Sequence, residues 1–247
     1  MLKSYLAFDV ETTGLSPESD EIIEIGALKV RDGKVCERFI SLVKPPEPVS
    51  ERITQITGIT NEMLEDAAPK ERVIPAFLDF CGDEVLIGHN LPFDYGFVKN
   101  QAGLFGLPFE KQGIDTLRIA RSVHRGRQSN SLEALCEKYS IINSSAHRAY
   151  HDALATAKLY QTLAHYYESL QPQVFLPASL SASCPAMRKG AAGTAFGAAD
   201  APATPKQLAF LSRLAAQKDL TVTWDAASLT KSRASGLIER VLAGQQP

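Results

Sequence analysis

The chain has 247 residues, 45% of them hydrophobic and 22% charged, with a formal net charge of −2. That length can bury the core of one ordinary domain plus an appendage. No apolar run approaches the roughly 20 residues that cross a bilayer, so no membrane partner is expected. The opening MLKSYLAFDVE meets an acid before a signal-peptide core could form, and a cytoplasmic protein is expected.

Charge is unevenly spread. Residues 1–170 carry 18 Lys and Arg against 24 Asp and Glu, whereas residues 205–247 carry six against three. An acidic body does not hold nucleic acid by bulk charge unless some of its carboxylates bind divalent cations. The four cysteines, Cys36, Cys81, Cys136 and Cys184, are far apart and form no CxxC pair. They are expected to be reduced and mostly buried, with neither a zinc site nor a disulfide framework.

In chain order, residues 4–10 form an apolar run around a single aspartate and 22–30 form a second, IIEIGALKV. RDGK at 31–34 supplies a turn before a third alternating run at 35–43, and the three predict an antiparallel meander. KPPEPVS at 44–50 ends it, and the pattern becomes helical. A strand is expected at 84–90 between helices near 69–81 and 92–104, with further helices near 115–124, 131–139 and 149–169. This order predicts an α/β fold, a mixed β-sheet flanked by helices, over residues 1–170.

Between 171 and 204, 20 of 34 residues are Ala, Gly, Pro or Ser, which predicts a flexible linker. Residues 205–247 then read as a small C-terminal helical module. Thr204 and Pro205 suit a helix start, with Leu208, Leu211, Leu214 and Ala215 on one face. Thr230 repeats the cap ahead of Leu237, Ile238, Val241 and Leu242.

Three stretches carry candidate chemistry. In FDVETTG, Asp9 and Glu11 lie two apart on a strand and leave the same face. They are either two exposed acids at a sheet edge or a pair that needs a cation or proton between them. In IGHNLPFD, Asp94 falls about one turn into a helix that Pro92 begins, where an acid also suits the helix dipole. His89 and Asn90 occupy the turn before it, either satisfying local backbone or meeting a phosphate.

In SAHRAYHDALAT, His147 and His151 stand four apart and Asp152 follows. Three readings arise: a zinc pair lacking the H-E-x-x-H glutamate and a third ligand, two surface histidines, or a loop His147 converging with a helical Asp152. Asp9, Glu11, Asp94 and Asp152 together offer hard oxygen ligands, which suit Mg²⁺ or Mn²⁺. Two such ions about 4 Å apart can activate water and stabilise a leaving phosphodiester oxygen, and a nearby histidine can take the water's proton.

FDVETTGL, GHNLPFD and HRAYHDA, in that order and at these separations, resemble the three motifs of the DEDDh 3′ to 5′ exonucleases, the family of the proofreading epsilon subunit of bacterial DNA polymerase III. The resemblance covers roughly residues 3–167. It implies an RNase H-like fold and release of nucleoside 5′-monophosphates from single-stranded DNA or RNA 3′ ends. It also implies Asp9, Glu11, Asp94 and Asp152 as ligands of two Mg²⁺ or Mn²⁺ ions, with His147, five before the last aspartate, as general base. The backbone around Thr12 and Thr13 would meet the terminal 3′-OH, and Leu15 would pack on its base.

His151 has no family role and is expected on the helix surface; His124 and His165 are expected to be structural, and Arg148 to form an ion pair or touch phosphate. An RNA-trimming enzyme is one alternative, and an inactive nucleic-acid-binding module of the same fold is another. The C-terminal module is expected to contact nucleic acid, to tether a DNA polymerase or other replication or repair protein, or to pack without a specific partner.

Overall fold

A computed structural model describes residues 1–124 and 129–181, together with Leu208, Leu211, Leu229 and Leu237. The chain forms two compact units, Met1–Arg188 and Lys189–Pro247. In the first, the expected meander consists of β1 (Tyr5–Thr12), β2 (Ile22–Arg31) and β3 (Lys34–Lys44). Two short helices follow, α1 (Glu51–Thr57) and α2 (Asn61–Glu65), then β4 (Ala68–Pro69), α3 (Lys70–Cys81), β5 (Leu86–Gly88) and α4 (Leu91–Leu104). The remainder is β6 (Gln112–Asp115), α5 (Thr116–Val123), α6 (Leu132–Lys138), α7 (Ala149–Tyr167), a 3₁₀ turn (Pro172–Phe175) and β7 (Ala178–Ser179).

The strands form one mixed sheet in the order β4-β3-β2-β1-β5-β6-β7. β1 lies at its centre, antiparallel to β2 and parallel to β5. Period-2 alternation in β1 splits the core in two. Leu6, Phe8 and Val10 pack with Val73, Ile74 and Phe77 of α3 and with Tyr95, Phe97 and Val98 of α4. Tyr5 and Ala7 face the other layer, with Ala153, Leu159 and Tyr160 of α7 and Ile119 and Ala120 of α5. The same alternation carries Asp9 and Glu11 onto the α7 side, at the strand's C-terminal end.

How close α7 can come to the sheet is set by small residues. Ala149, Ala153 and Ala157, spaced by four, are all buried. On β2, a Cβ added to Gly26 would stand 2.0 Å from the Tyr150 amide nitrogen and 2.2 Å from the Ala149 carbonyl carbon. Gly26 pairs with Asp9 across the β1–β2 ladder, so the helix start is pressed onto the sheet beside the first candidate acid.

Several features depart from the sequence expectations. The strands β4, β6 and β7 span only two to four residues each, too few for alternation to register. The expected linker is ordered in its first part: Phe175 and Leu180 are buried among the core clusters, and β7 pairs antiparallel with β6. Two apolar anchors suffice there, although Ala, Pro and Ser dominate the local composition. Cys81 and Cys136 are free and buried as expected, but Cys36 is exposed on β3, and Cys184 lies outside the described residues.

In the second unit, Leu208, Leu211 and Leu237 are helical and form an apolar cluster with Leu229. The expected caps Thr204 and Thr230, and the apolar positions Leu214, Ala215, Ile238, Val241 and Leu242, lie outside the described residues. Among the described residues no helix is long and apolar enough to cross a membrane.

The contact at Gly26 makes a specific prediction. Gly26→Ala should lower the stability to denaturant by about 3 kcal/mol, the upper range for overpacking, because backbone rather than a flexible side chain meets the new methyl. A loss below about 0.5 kcal/mol, the usual range for surface changes, would show that α7 is not pressed against β2 there.

Candidate active site

The C-terminal end of β1 runs past its parallel neighbour. Leu6 donates its N–H to the carbonyl of Val85, just before β5, whereas Val10, four residues on, donates to Asp94 Oδ1 at 3.0 Å. Asp94, in the first turn of α4 and 4% exposed, thus completes a strand position that β5 is too short to pair. Asn90 begins α4 with φ +70°, and its N–H donates to Asp115 Oδ1 at 2.8 Å, which fastens this turn to the end of β6. Strand ends at the centre of such a sheet are the usual place for a ligand crevice.

Asp152 reaches the same point from α7. Asp9, Glu11 and Asp152 each offer an oxygen, all within 4.8 Å of one another. Both oxygens of Asp152 are also held: Asn143 Nδ2 donates to Oδ1 at 2.6 Å and the His147 backbone N–H to Oδ2 at 2.8 Å. His147 precedes the helix with φ +62° and is exposed. A cavity of about 290 Å³ opens over the cluster, its lining including Asp9, Glu11, Asp94, Asp152, His147 and His89. The four expected carboxylates and His147 are therefore brought to one cavity, with Glu133 also in its lining.

The charge in this cavity is poorly offset. Burial, reinforced by Asp94, Glu11 and Asp152, holds the Asp9 carboxyl well above the usual range. Glu11 is pushed up to about 8, first by burial, then by Asp152, Glu24 and Asp94, while Arg148 pulls it down. Asp94 rises to about 8 through burial, against the bond from Val10. Burial also raises Asp152, opposed by Asn143 and by His147. Carboxylates that repel one another at oxygen-ligand distances fit a hard divalent cation.

Other expected residues take different places. The His89 ring is spoken for: Nδ1 lies 2.9 Å from Thr116 Oγ1 and Nε2 lies 2.9 Å from the Asn130 carbonyl, while burial lowers its pKa. His89 and Asn90 line the cavity, His89 as a fastener of its wall. Thr12 Oγ1 donates to the Gly14 carbonyl, Thr13 accepts from Glu21 N–H on its hydroxyl, and the Thr13 N–H goes to the Glu21 carbonyl. Thr13 is therefore bonded within its own turn. Thr12, Thr13 and Leu15 are outside the cavity lining, and Leu15 is 84% exposed. His151 Nδ1 pairs with Ser144 Oγ at 3.0 Å, at the helix surface as expected.

Sequence reasoning missed Glu24 and Asn143. Glu24 is 1% exposed on β2, directly across from Glu11, and pairs with Arg148. Its one signal is an acid inside the apolar run IIEIGALKV. Asn143, in a loop of small and polar residues, carries no signal in local periodicity.

Comparison with known proteins agrees with this geometry. The sequence model of a family described as exonuclease, RNase_T, matches residues 6–160. The DNA polymerase III PolC-type of Caldanaerobacter subterraneus subsp. tengcongensis is 41% identical over 156 residues, 63% of this chain and 11% of that protein. The PolC-type polymerase of Bacillus subtilis is 41% identical over 160 residues, 64% of this chain and 11% of that protein. The chain thus covers about a ninth of the length of these relatives. Among solved structures, exonuclease X in complex with 5′ overhanging duplex DNA aligns with TM-score 0.55 and 28% identity, over 68% of this chain and 96% of that one. Exonuclease I of E. coli, in complex with a dA16 oligonucleotide, shares the fold with TM-score 0.59 and 20% identity, over 70% of this chain and 42% of that one.

The raised carboxyls predict how stability depends on pH. A group with a folded-state pKa above its unfolded value contributes stability at low pH that is lost as pH rises through the folded pKa. For Glu11 and Asp94 the window runs from about 4, the unfolded range, to about 8. The thermal midpoint of EDTA-treated protein should fall across that window, and Mg²⁺ or Mn²⁺ should restore it more at pH 8 than at pH 5. A flat midpoint, or equal restoration at both pH values, would contradict the charge crowding.

Proposed function

The chain belongs to the exonuclease family that its residues 6–160 match, and on that footing we propose that it removes nucleoside 5′-monophosphates from the 3′ ends of single-stranded or frayed DNA. The observation that carries this is the meeting of Asp9, Glu11 and Asp152 oxygens within 4.8 Å beneath a cavity that Asp94 and His147 also line.

In this reading Asp9, Glu11, Asp94 and Asp152 hold two Mg²⁺ or Mn²⁺ ions. When bound, such ions acidify water and offset charge on the leaving oxygen. The rest is done by the chain. An imidazole nitrogen of His147, exposed at the mouth, takes the proton of the attacking water. The water oxygen bonds to the terminal phosphorus, and the bond to the 3′ oxygen of the preceding nucleotide breaks. The backbone hydrogen bond from His147 to Asp152 ties the base to a metal ligand, so their spacing is set by one short turn. His89 and Asn90 shape the wall on the α4 side, while Thr12 ends the acid-bearing strand and Thr13 and Leu15 lie in the turn that follows, outside the cavity itself.

DNA is favoured over RNA because exonuclease X, which aligns over nearly its whole length, is described with a DNA duplex. The match to PolC-type polymerases favours a proofreading or repair setting in the cytoplasm. Residues 205–247 would then serve as a tether to a polymerase or other replication protein, or as a second contact to the strand.

Digestion of 3′-labelled and 5′-labelled single-stranded DNA and RNA, with Mg²⁺, Mn²⁺ or EDTA, tests the proposal. Stepwise release from the 3′ end, abolished by EDTA and faster on DNA, is expected; cleavage that survives EDTA or begins internally sinks it. His147→Ala should lower kcat by about two decades or more, the range for a lost general base, whereas His151→Ala should change it less than about twofold. Equal losses would mean that the base has been misassigned.

A further inference from the structure

Beside the cavity, outside its lining, stands one more buried carboxylate, and it is held by a cation of the chain itself. Glu24 faces Glu11 across the β1–β2 ladder and is almost fully buried, but both its oxygens are committed elsewhere. Arg148 donates Nε to each oxygen at 3.2 Å and a terminal guanidinium nitrogen to Oε1 at 2.8 Å, while the Ala149 N–H donates to Oε2 at 3.0 Å. A planar guanidinium gripping both oxygens of one carboxylate fixes orientation as well as distance.

The grip falls at a particular place. α7 takes no capping hydrogen bond from its own N-cap residue, Arg148, so the cap is supplied from β2 by Glu24. The residue just before Arg148 is His147, held in the left-handed region that a side chain with a Cβ disfavours. Such a turn persists only when it is fixed on both sides. On one side the His147 N–H is bonded to Asp152 Oδ2; on the other the next residue is clamped to the sheet. Asp152 itself sits inside the helix and is held also by Asn143 and by the packing of Ala149 and Ala153, so it keeps anchors besides the His147 N–H.

We propose that Glu24 and Arg148 are a positioning pair that holds the His147 turn over the cavity, acting on the placement of the base rather than on the metal ligands. This rests on the role of His147 proposed above. Arg148 was expected to form an ion pair or meet phosphate; its engagement with a buried acid leaves the ion pair as its function.

The test uses the full chain with Glu24→Gln, which keeps an acceptor for the Ala149 N–H and removes the charge, and Arg148→Lys, which keeps the charge and loses the fork. Glu24→Gln should lower kcat on single-stranded DNA by about tenfold or more, as for supporting residues around metal sites, with KM changed less than about twofold. Arg148→Lys should lose less. In a His147→Ala background Glu24→Gln should cost under about twofold, since the residue it positions is gone. Mn²⁺ binding without nucleic acid should stay within about threefold of the parent, because the ligands hold their places. In protein free of metal and DNA, the His147 ring carbon–proton NMR signal, identified by its disappearance in His147→Ala, should shift in both single variants.

A full loss of kcat in the His147→Ala background, an unmoved His147 signal, or Mn²⁺ binding weakened as much as kcat would overturn the proposal. If the parent protein releases no nucleotides, the proposed function fails by itself, and the ring signal still decides whether the pair holds His147. Should Glu24→Gln fail to fold, Arg148→Lys carries the same comparisons, with its smaller effects in the same direction.

Discussion

Crowding of negative charge at the end of β1 is the constraint around which the first unit is arranged. Asp9, Glu11, Asp94 and Asp152 are brought together with little water to screen them, and burial raises all four carboxyls. Such an arrangement opposes folding unless each acid is also held by something that gains from its presence. Asp94 completes the hydrogen bonding of β1 beyond the end of β5. Asp152 accepts from Asn143 and His147. Glu24, the neighbour that would add a further charge, is offset by Arg148. The acids are therefore woven into strand and helix ends, and divalent cations fit what charge remains.

The same arrangement explains how an acidic domain handles a polyanion. The excess of carboxylates over Lys and Arg in residues 1–170 is not spread evenly over a repelling surface. Part of it is concentrated in one cavity, where two divalent ions would neutralise it and offer a local attraction for phosphate oxygens. Net charge is a poor guide to partner in such a domain, because it counts clustered carboxylates as though they were separate surface charges.

The legible parts of the site were those written in short-range spacing. Period-2 alternation placed Asp9 and Glu11 on one face, Pro92 marked the helix that carries Asp94, and SAHRAYHDALAT offered a loop His147 ahead of a helical Asp152. What escaped depends on contacts between residues far apart in sequence. The Glu24–Arg148 contact spans 124 positions, and nothing local announces that Gly26 must be bare for Ala149 and Tyr150 to pass over it. The bonds that tie Thr13 to Glu21 across the turn carry no local signal either. The short strands β6 and β7 escaped for another reason: their pairing is imposed by neighbours rather than by any pattern of their own.

β7 and the 3₁₀ turn before it define the smallest piece of this chain that can be expected to stand alone. A fragment cut at the end of α7 would keep every acid and His147, yet would strip Phe175 and Leu180 from the two core layers. It would also leave β6 as a bare edge, with unpaired N–H and C=O groups open to a second molecule. The acid cluster and the folded layers thus end at different residues, and a few positions that resemble spacer sequence act as the selvedge of the sheet.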